Sequence, residues 1–274
     1  MGTSTSSAGP KSGVSLDPPW LNDVISDIGA GGSVPPGDPD PAIPQGAPGI
    51  APPARYLEAR KELGRYLKNG STQHIANALG HYSSKGSGGA RAAARRMRVS
   101  TQAGAALFSF LSSISQRSSP QAAQWVDNLR ATNPSSEDVI DAIVRELAPS
   151  GGSADEESFR DSMALAFSNL VQDDPTVDPL NMREEDIWEL LKGYLAAEVA
   201  NRVCFDLGPI FESSKLDPTT AVLRERQMRL FIKNEIGMQL DLLRGTTTNP
   251  SRAQVDAISQ DTLEMTFILY EGDV

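Results

Sequence analysis

The chain is poor in the residues from which catalytic and metal sites are usually built. Its 274 residues include one cysteine, Cys204, and two histidines, His74 and His81. A single cysteine excludes an internal disulfide framework and suits a reducing compartment. His74 and His81 stand seven residues apart on one expected helix. They share a face but lie about 10 Å apart along the axis, not at the i, i+4 spacing of helical zinc motifs. They read as surface or interhelix histidines, and Cys204, in the apolar triplet Val203–Phe205, reads as a buried structural thiol. No Gly-x-Ser-x-Gly elbow and no Cys/His cluster occurs. Long apolar runs are missing as well. Ala103–Leu111 is the longest weakly polar stretch, too short to cross a bilayer, and the N-terminus carries no secretory signal. The expectation is a cytoplasmic protein with no membrane partner.

Two glycine-rich stretches fail as phosphate cradles. In Gly80–Gly89, Lys85 precedes Gly86 instead of following a glycine, and no hydrophobic strand leads into the loop. Gly29–Gly32 lacks a preceding strand too. The carboxylate runs Asp155–Glu157, Asp173–Asp174 and Glu184–Asp186 fall at expected helix ends, where the macrodipole and solvent account for them. These absences lead to the expectation of a protein that is not an enzyme and carries no metal or cofactor.

What the chain does have is unevenly distributed. Eleven of its nineteen prolines and nine of its twenty-three glycines fall in residues 1–54. Proline lacks a backbone donor and glycine costs extra entropy, so Val34–Pro53 reads as an extended linker. Within this arm Trp20, Leu21, Val24, Ile25 and Ile28 recur at helical spacing, with Asp17 as N-cap, Pro18 at the first helical position and Gly29 as the stop. One short amphipathic helix over about 18–28 is expected, carried between two disordered stretches.

From Arg55 onward the periodicity is helical. Tyr56, Leu57, Leu63, Tyr66 and Leu67 form a stripe ending at Asn69–Gly70, and Ser71 or Thr72 opens a second helix, giving a hairpin. Lys85–Ala90 reads as a flexible break before an Ala/Arg-rich helix that runs from about Gly89 through Phe108 and Phe110. Pro120 starts another helix. Ser135 with Asp138 caps the next, whose inward face is Val139, Ile140, Ile143, Val144 and Leu147. Beyond Pro149–Ser153, helices are expected over about Glu156–Val171, Arg183–Phe205 and Thr219–Arg244. Residues 262–270 remain open: Leu263, Met265, Phe267 and Leu269 alternate as in a strand, while Val255, Ile258 and Met265 also fit a helix. The expected fold is an all-α helical bundle behind a flexible Gly/Pro/Ser-rich arm, divided into an arm at 1–54, a basic subdomain at 55–148 and an acidic subdomain at 149–274.

Charge follows the same division. Residues 1–54 carry −4, residues 55–100 carry +8 and residues 131–274 carry −15, within a net −10. Only the second block attracts polyanions. Arg91, Arg95 and Arg98 share a helical face, with Arg96 beside them, and together with Lys85 they suit the phosphates of a nucleic acid. The other reading is that they complement the acidic half of this molecule or of a partner. Few aromatic residues are interleaved for base stacking, which favours that second reading.

The opening residues carry a resemblance. Met1–Ser4, Gly9–Pro10 and the segment Leu16–Trp20 resemble the start of the QatB family, a component of the bacterial four-protein Qat anti-phage system. The resemblance implies a non-enzymatic partner of an ATPase, a QueC-like enzyme and a TatD-like nuclease. The QueC-like enzyme belongs to a group associated with attaching a 7-deazaguanine base to a protein N-terminal glycine, so the implied acceptor is Gly2. Thr3, Ser4, Gly9, Pro10, Leu16, Pro18, Pro19, Trp20, Leu21, Val24, Ile25 and Ile28 would then grip that partner. The chemistry of the residues agrees. Removal of Met1 frees an α-amine with a pKa of about 7.7–8.0, partly uncharged near neutrality. Small Thr3 and Ser4 let the tip enter a narrow pocket. Two other readings use the same residues: a disordered tail without a role, and a myristoylation signal at Met1–Ser6, which needs a eukaryotic enzyme and lacks a following polybasic segment.

Overall fold

The computed structural model describes residues 55–147, 154–208, 210, 216–272 and 274. Among the described residues every regular element is helical, as the all-α expectation requires. The arm, its helix over 18–28 and every arm residue named above lie outside them.

Helices α1 (Leu57–Asn69) and α2 (Thr72–His81) form the expected hairpin. Gly70 closes α1 in the left-handed region at φ 74°, and its N–H donates to the Tyr66 carbonyl at 2.7 Å. The chain then departs from expectation. Instead of a flexible break it makes one π-helical turn over Tyr82–Ser87, ended by Gly88 and Gly89 at φ 87° and 103°. The expected single Ala/Arg-rich helix is two, α3 (Ala90–Arg95) and α4 (Arg98–Gln116). The interruption lies at Arg96–Met97, where Met97 is buried and the Arg96 side chain turns to distant partners.

Local chemistry explains the next starts. Ser119 accepts from the Ala122 N–H ahead of α5 (Pro120–Arg130), which has proline at its first position. Ser135 and Asp138 bond each other's backbone N–H groups at 3.1 and 2.9 Å, opening α6 (Ser136–Leu147), and the five apolar residues expected on its inward face are all buried. Three long helices follow, α7 (Ala154–Asp173), α8 (Glu184–Leu207) and α9 (Pro218–Arg244), the last capped by Asp217. The segment that sequence left open belongs to α10 (Arg252–Glu271), capped by the Ser251–Gln254 box.

Two helices organise the packing. α10 lies against α2, α3, α4 and α9, and α8 against α4, α7 and α9. The basic and acidic parts contribute to one continuous core, from Tyr56 to Tyr270. Trp188, Tyr194 and Phe167 are among its fully enclosed side chains, and the Phe108 ring meets Trp188 with centroids 4.6 Å apart.

Candidate functional site

Tyr56, the residue just before α1, is held by groups far along the sequence. Its hydroxyl donates to Asp206 Oδ2 at 3.2 Å and accepts from Arg96 Nη1 at 2.6 Å and from Arg55 Nη2. Tyr82 donates to the same carboxylate oxygen at 2.8 Å, and the two phenol rings stack with centroids 5.2 Å apart and planes 10° apart. Arg96 and Arg202 approach that oxygen to 3.5 and 3.6 Å, while Arg60 donates to the Asp206 backbone carbonyl at 3.0 Å. Burial and then the neighbouring Asp206 charge push the Tyr82 phenol far above its ordinary range, so it stays a donor.

The π turn supplies the room. A Cβ on Gly86 would lie 2.4 Å from the Tyr56 ring, so only glycine admits the ring against this backbone. The glycine-rich stretch that fails as a phosphate cradle thus has a packing role: it seats the first aromatic after the arm.

A half-open groove of about 470 Å³ lies beside this clamp, between the start of α4, the first half of α7 and the end of α8. Its lining includes Arg96, Val99, Ser100, Glu198, Arg202 and Phe205. Glu198 is buried at 4% exposure and accepts from Ser100 Oγ at 2.7 Å and Ser158 Oγ at 3.2 Å. Phe205 is 77% exposed and Val99 42%, leaving apolar surface at the opening. The groove thus holds hydrogen-bonded polar groups inside and bare apolar groups at its opening.

The basic residues singled out in the sequence separate into two groups. Arg96 faces Tyr56 and Asp206, and Arg91 lies 3.6 Å from Glu264 of α10, so both meet carboxylates of the acidic half. Lys85 in the π turn, Arg95 at the end of α3 and Arg98 at the start of α4 are exposed. His74 Nδ1 lies 2.7 Å from Glu62 Oε2 across the α1–α2 hairpin, an interhelix contact. Cys204 packs half-buried against the core, and burial pushes its thiol up to about 11. Among the described residues no group of three or more His, Cys, Asp or Glu side chains could hold a metal ion, and no helix is long and apolar enough to cross a membrane.

Sequence reasoning missed Asp206 and the roles of Tyr56 and Tyr82. Tyr56 and Asp206 are 150 positions apart, and no local pattern connects them. The one local signal was the bunching of glycines after Tyr82.

The body also identifies itself by comparison. A family model described as "Qat anti-phage system associated protein QatB" matches residues 88–270, about two thirds of the chain. The match rests on a different part of the molecule from the N-terminal resemblance. No curated protein and no solved structure matches the chain.

Proposed function

The chain belongs to the QatB family, and from that premise we propose that it is a non-enzymatic scaffold of a Qat-type anti-phage complex, whose N-terminal arm binds a QueC-like partner and presents Gly2 for modification. The observation that carries this reading is the clamp on Tyr56. Residues from the π turn, from the α3–α4 junction and from α8 converge on the point where the arm joins the body. A long leader that must enter another molecule works best from a fixed origin, because anchoring confines its far end to a smaller volume and raises its effective concentration at the partner.

The division of labour follows from composition. The Pro-rich stretch Val34–Pro53 supplies reach, and Trp20, Leu21, Val24 and Ile25 supply apolar area that offsets the cost of ordering the arm on its partner. Gly2, once Met1 is removed, supplies an amine nucleophile without a Cβ to obstruct it. The ATPase and the TatD-like nuclease of the system are the further partners this role implies.

Intact-protein mass spectrometry of the full chain co-expressed with the QueC-like partner tests the proposal. A mass increase confined to the Gly2 peptide is expected, and an unmodified Gly2 in every condition overturns the modification. Deleting residues 2–30 is expected to abolish co-purification with that partner; retained co-purification overturns the docking role.

A further inference from the structure

The outer face of α9 carries large apolar side chains among its polar ones. Leu223, Leu230, Met238 and Leu242 are 49%, 56%, 56% and 72% exposed and recur with Arg226, Gln227, Asn234 and Asp241 along one stripe. The opposite face, with Met228, Ile232, Ile236 and Leu240, is fully committed to α8 and α10. Among the described residues Lys192 of α8 reaches the stripe at Asp241, and its apolar residues stay exposed. Single exposed leucines need no explanation, but four large apolar side chains on one face of a helix about 40 Å long do.

We propose that this stripe pairs with the same stripe of a second copy, the two α9 helices running antiparallel about a twofold axis at Asn234. The order of residues is what selects this occupant. About Asn234, Leu230 faces the partner's Met238, Gln227 faces the partner's Asp241, and the aliphatic stem of Arg226 lies against the partner's Leu242 with its guanidinium toward the partner's Asp241. Apolar residues thus meet apolar ones and donors meet an acceptor, which is the self-complementarity that a twofold contact requires. At the axis Asn234 meets itself, and a carboxamide, being both donor and acceptor, can do so without an orphan group. A single asparagine in an apolar helix seam also fixes register.

The outer polar groups are set for this arrangement. Gln227 Oε1 already accepts from Arg224 at 2.9 Å, which leaves its Nε2 to donate across the contact. Asp241 holds Lys192 and Arg244 within its own chain at 3.1 and 3.3 Å, yet its side chain is still 48% exposed and able to accept more. A single helix face is small beside the roughly 800 Å² per partner of a standard stable complex, so a reversible equilibrium is expected. This proposal does not depend on the role proposed for Gly2.

Sedimentation of the full chain tests it. A monomer–dimer equilibrium is expected, with Leu230→Glu raising the dissociation constant at least tenfold while the thermal melt is unchanged; Met238→Glu should do the same and serves if the first variant fails to fold. In a Cys204→Ser background, Asn234→Cys on the axis should cross-link to itself under mild oxidation, while Gln73→Cys, exposed on α2, should not. A wild-type chain that stays monomeric at high micromolar concentration overturns the proposal, as do equal cross-linking at the two positions and an unaltered equilibrium in both glutamate variants. A monomer whose Leu230→Glu variant instead loses a co-purified Qat protein would assign the stripe to that protein and overturn self-pairing.

Discussion

Asp206 is the carboxylate on which the clamp around Tyr56 converges. It takes two phenol donors and faces two guanidinium groups, so removing the carboxylate leaves several half-buried donors without it. An orphaned buried donor costs about 1–3 kcal/mol, more where charge is involved. Asp206→Ala is therefore expected to lower stability by about 3 kcal/mol, and, at about 2–4 °C per kcal/mol for a chain of this size, to lower the melting temperature by roughly 6–12 °C. Gly86→Ala acts on the same clamp by steric means, since its Cβ would meet a Tyr56 ring that is stacked on Tyr82 and bonded to Asp206. Both variants should speed tryptic cleavage at Arg55 and Arg60; unchanged cleavage would show that the clamp does not hold the arm's root. None of this geometry is legible in the sequence. Local periodicity reports which face of a helix is buried, not which of the chain's Asp residues will reach a tyrosine 150 positions away.

Helix starts were the most legible feature, because a cap is a short-range interaction between residues three apart. Ser135 with Asp138 was readable in advance, and the structure shows the reciprocal bonds. Ser135→Ala and Ser251→Ala should each cost about 1 kcal/mol, measurable as a lowered denaturant midpoint with an unchanged slope. The element that resisted reading was α10. Its Leu263, Phe267 and Tyr270 are buried while Met265, Ile268 and Leu269 are exposed, and contacts to four other helices leave it no single polar face. A helix covered on several sides loses the one-sided stripe by which helices are recognised, and alternation over a few residues then mimics a strand. The π turn was hidden for another reason: it seats Tyr56 on Gly86, a tertiary demand that the glycines after Tyr82 mark only as a break. The arm's composition was equally plain in the sequence, but the residues that bear Gly2 and Trp20 lie outside those the structure describes.

For the whole molecule, the separation of charge along the chain becomes contact in the fold. Arg91 and Arg96 of the basic block meet Glu264 and Asp206 of the acidic half, and both blocks share one core. That shared core also sets the response to alkali. Burial raises the phenols of Tyr66, Tyr82, Tyr194 and Tyr270 above their ordinary range and pushes the Cys204 thiol from 9.0 up to about 11. Each of these acids is neutral when protonated, so the folded chain retains protons that the unfolded chain gives up at lower pH. Stability falls wherever the folded state binds more protons than the unfolded one. Their contribution is thus complete below the unfolded thiol value of about 8.5 and is lost progressively as pH rises through the unfolded values toward the raised folded ones. Because the tyrosines are spread from α1 to α10, ionisation of any of them requires opening the common core. Tyrosinate absorbance of these four residues and loss of helical circular dichroism should therefore rise together in an alkaline titration, with Cys204 becoming fully reactive to an alkylating agent over the same interval. Tyrosinate of all four appearing while the helical signal is intact would mean that the core opens locally and that the two charge blocks are not held by one cooperative unit.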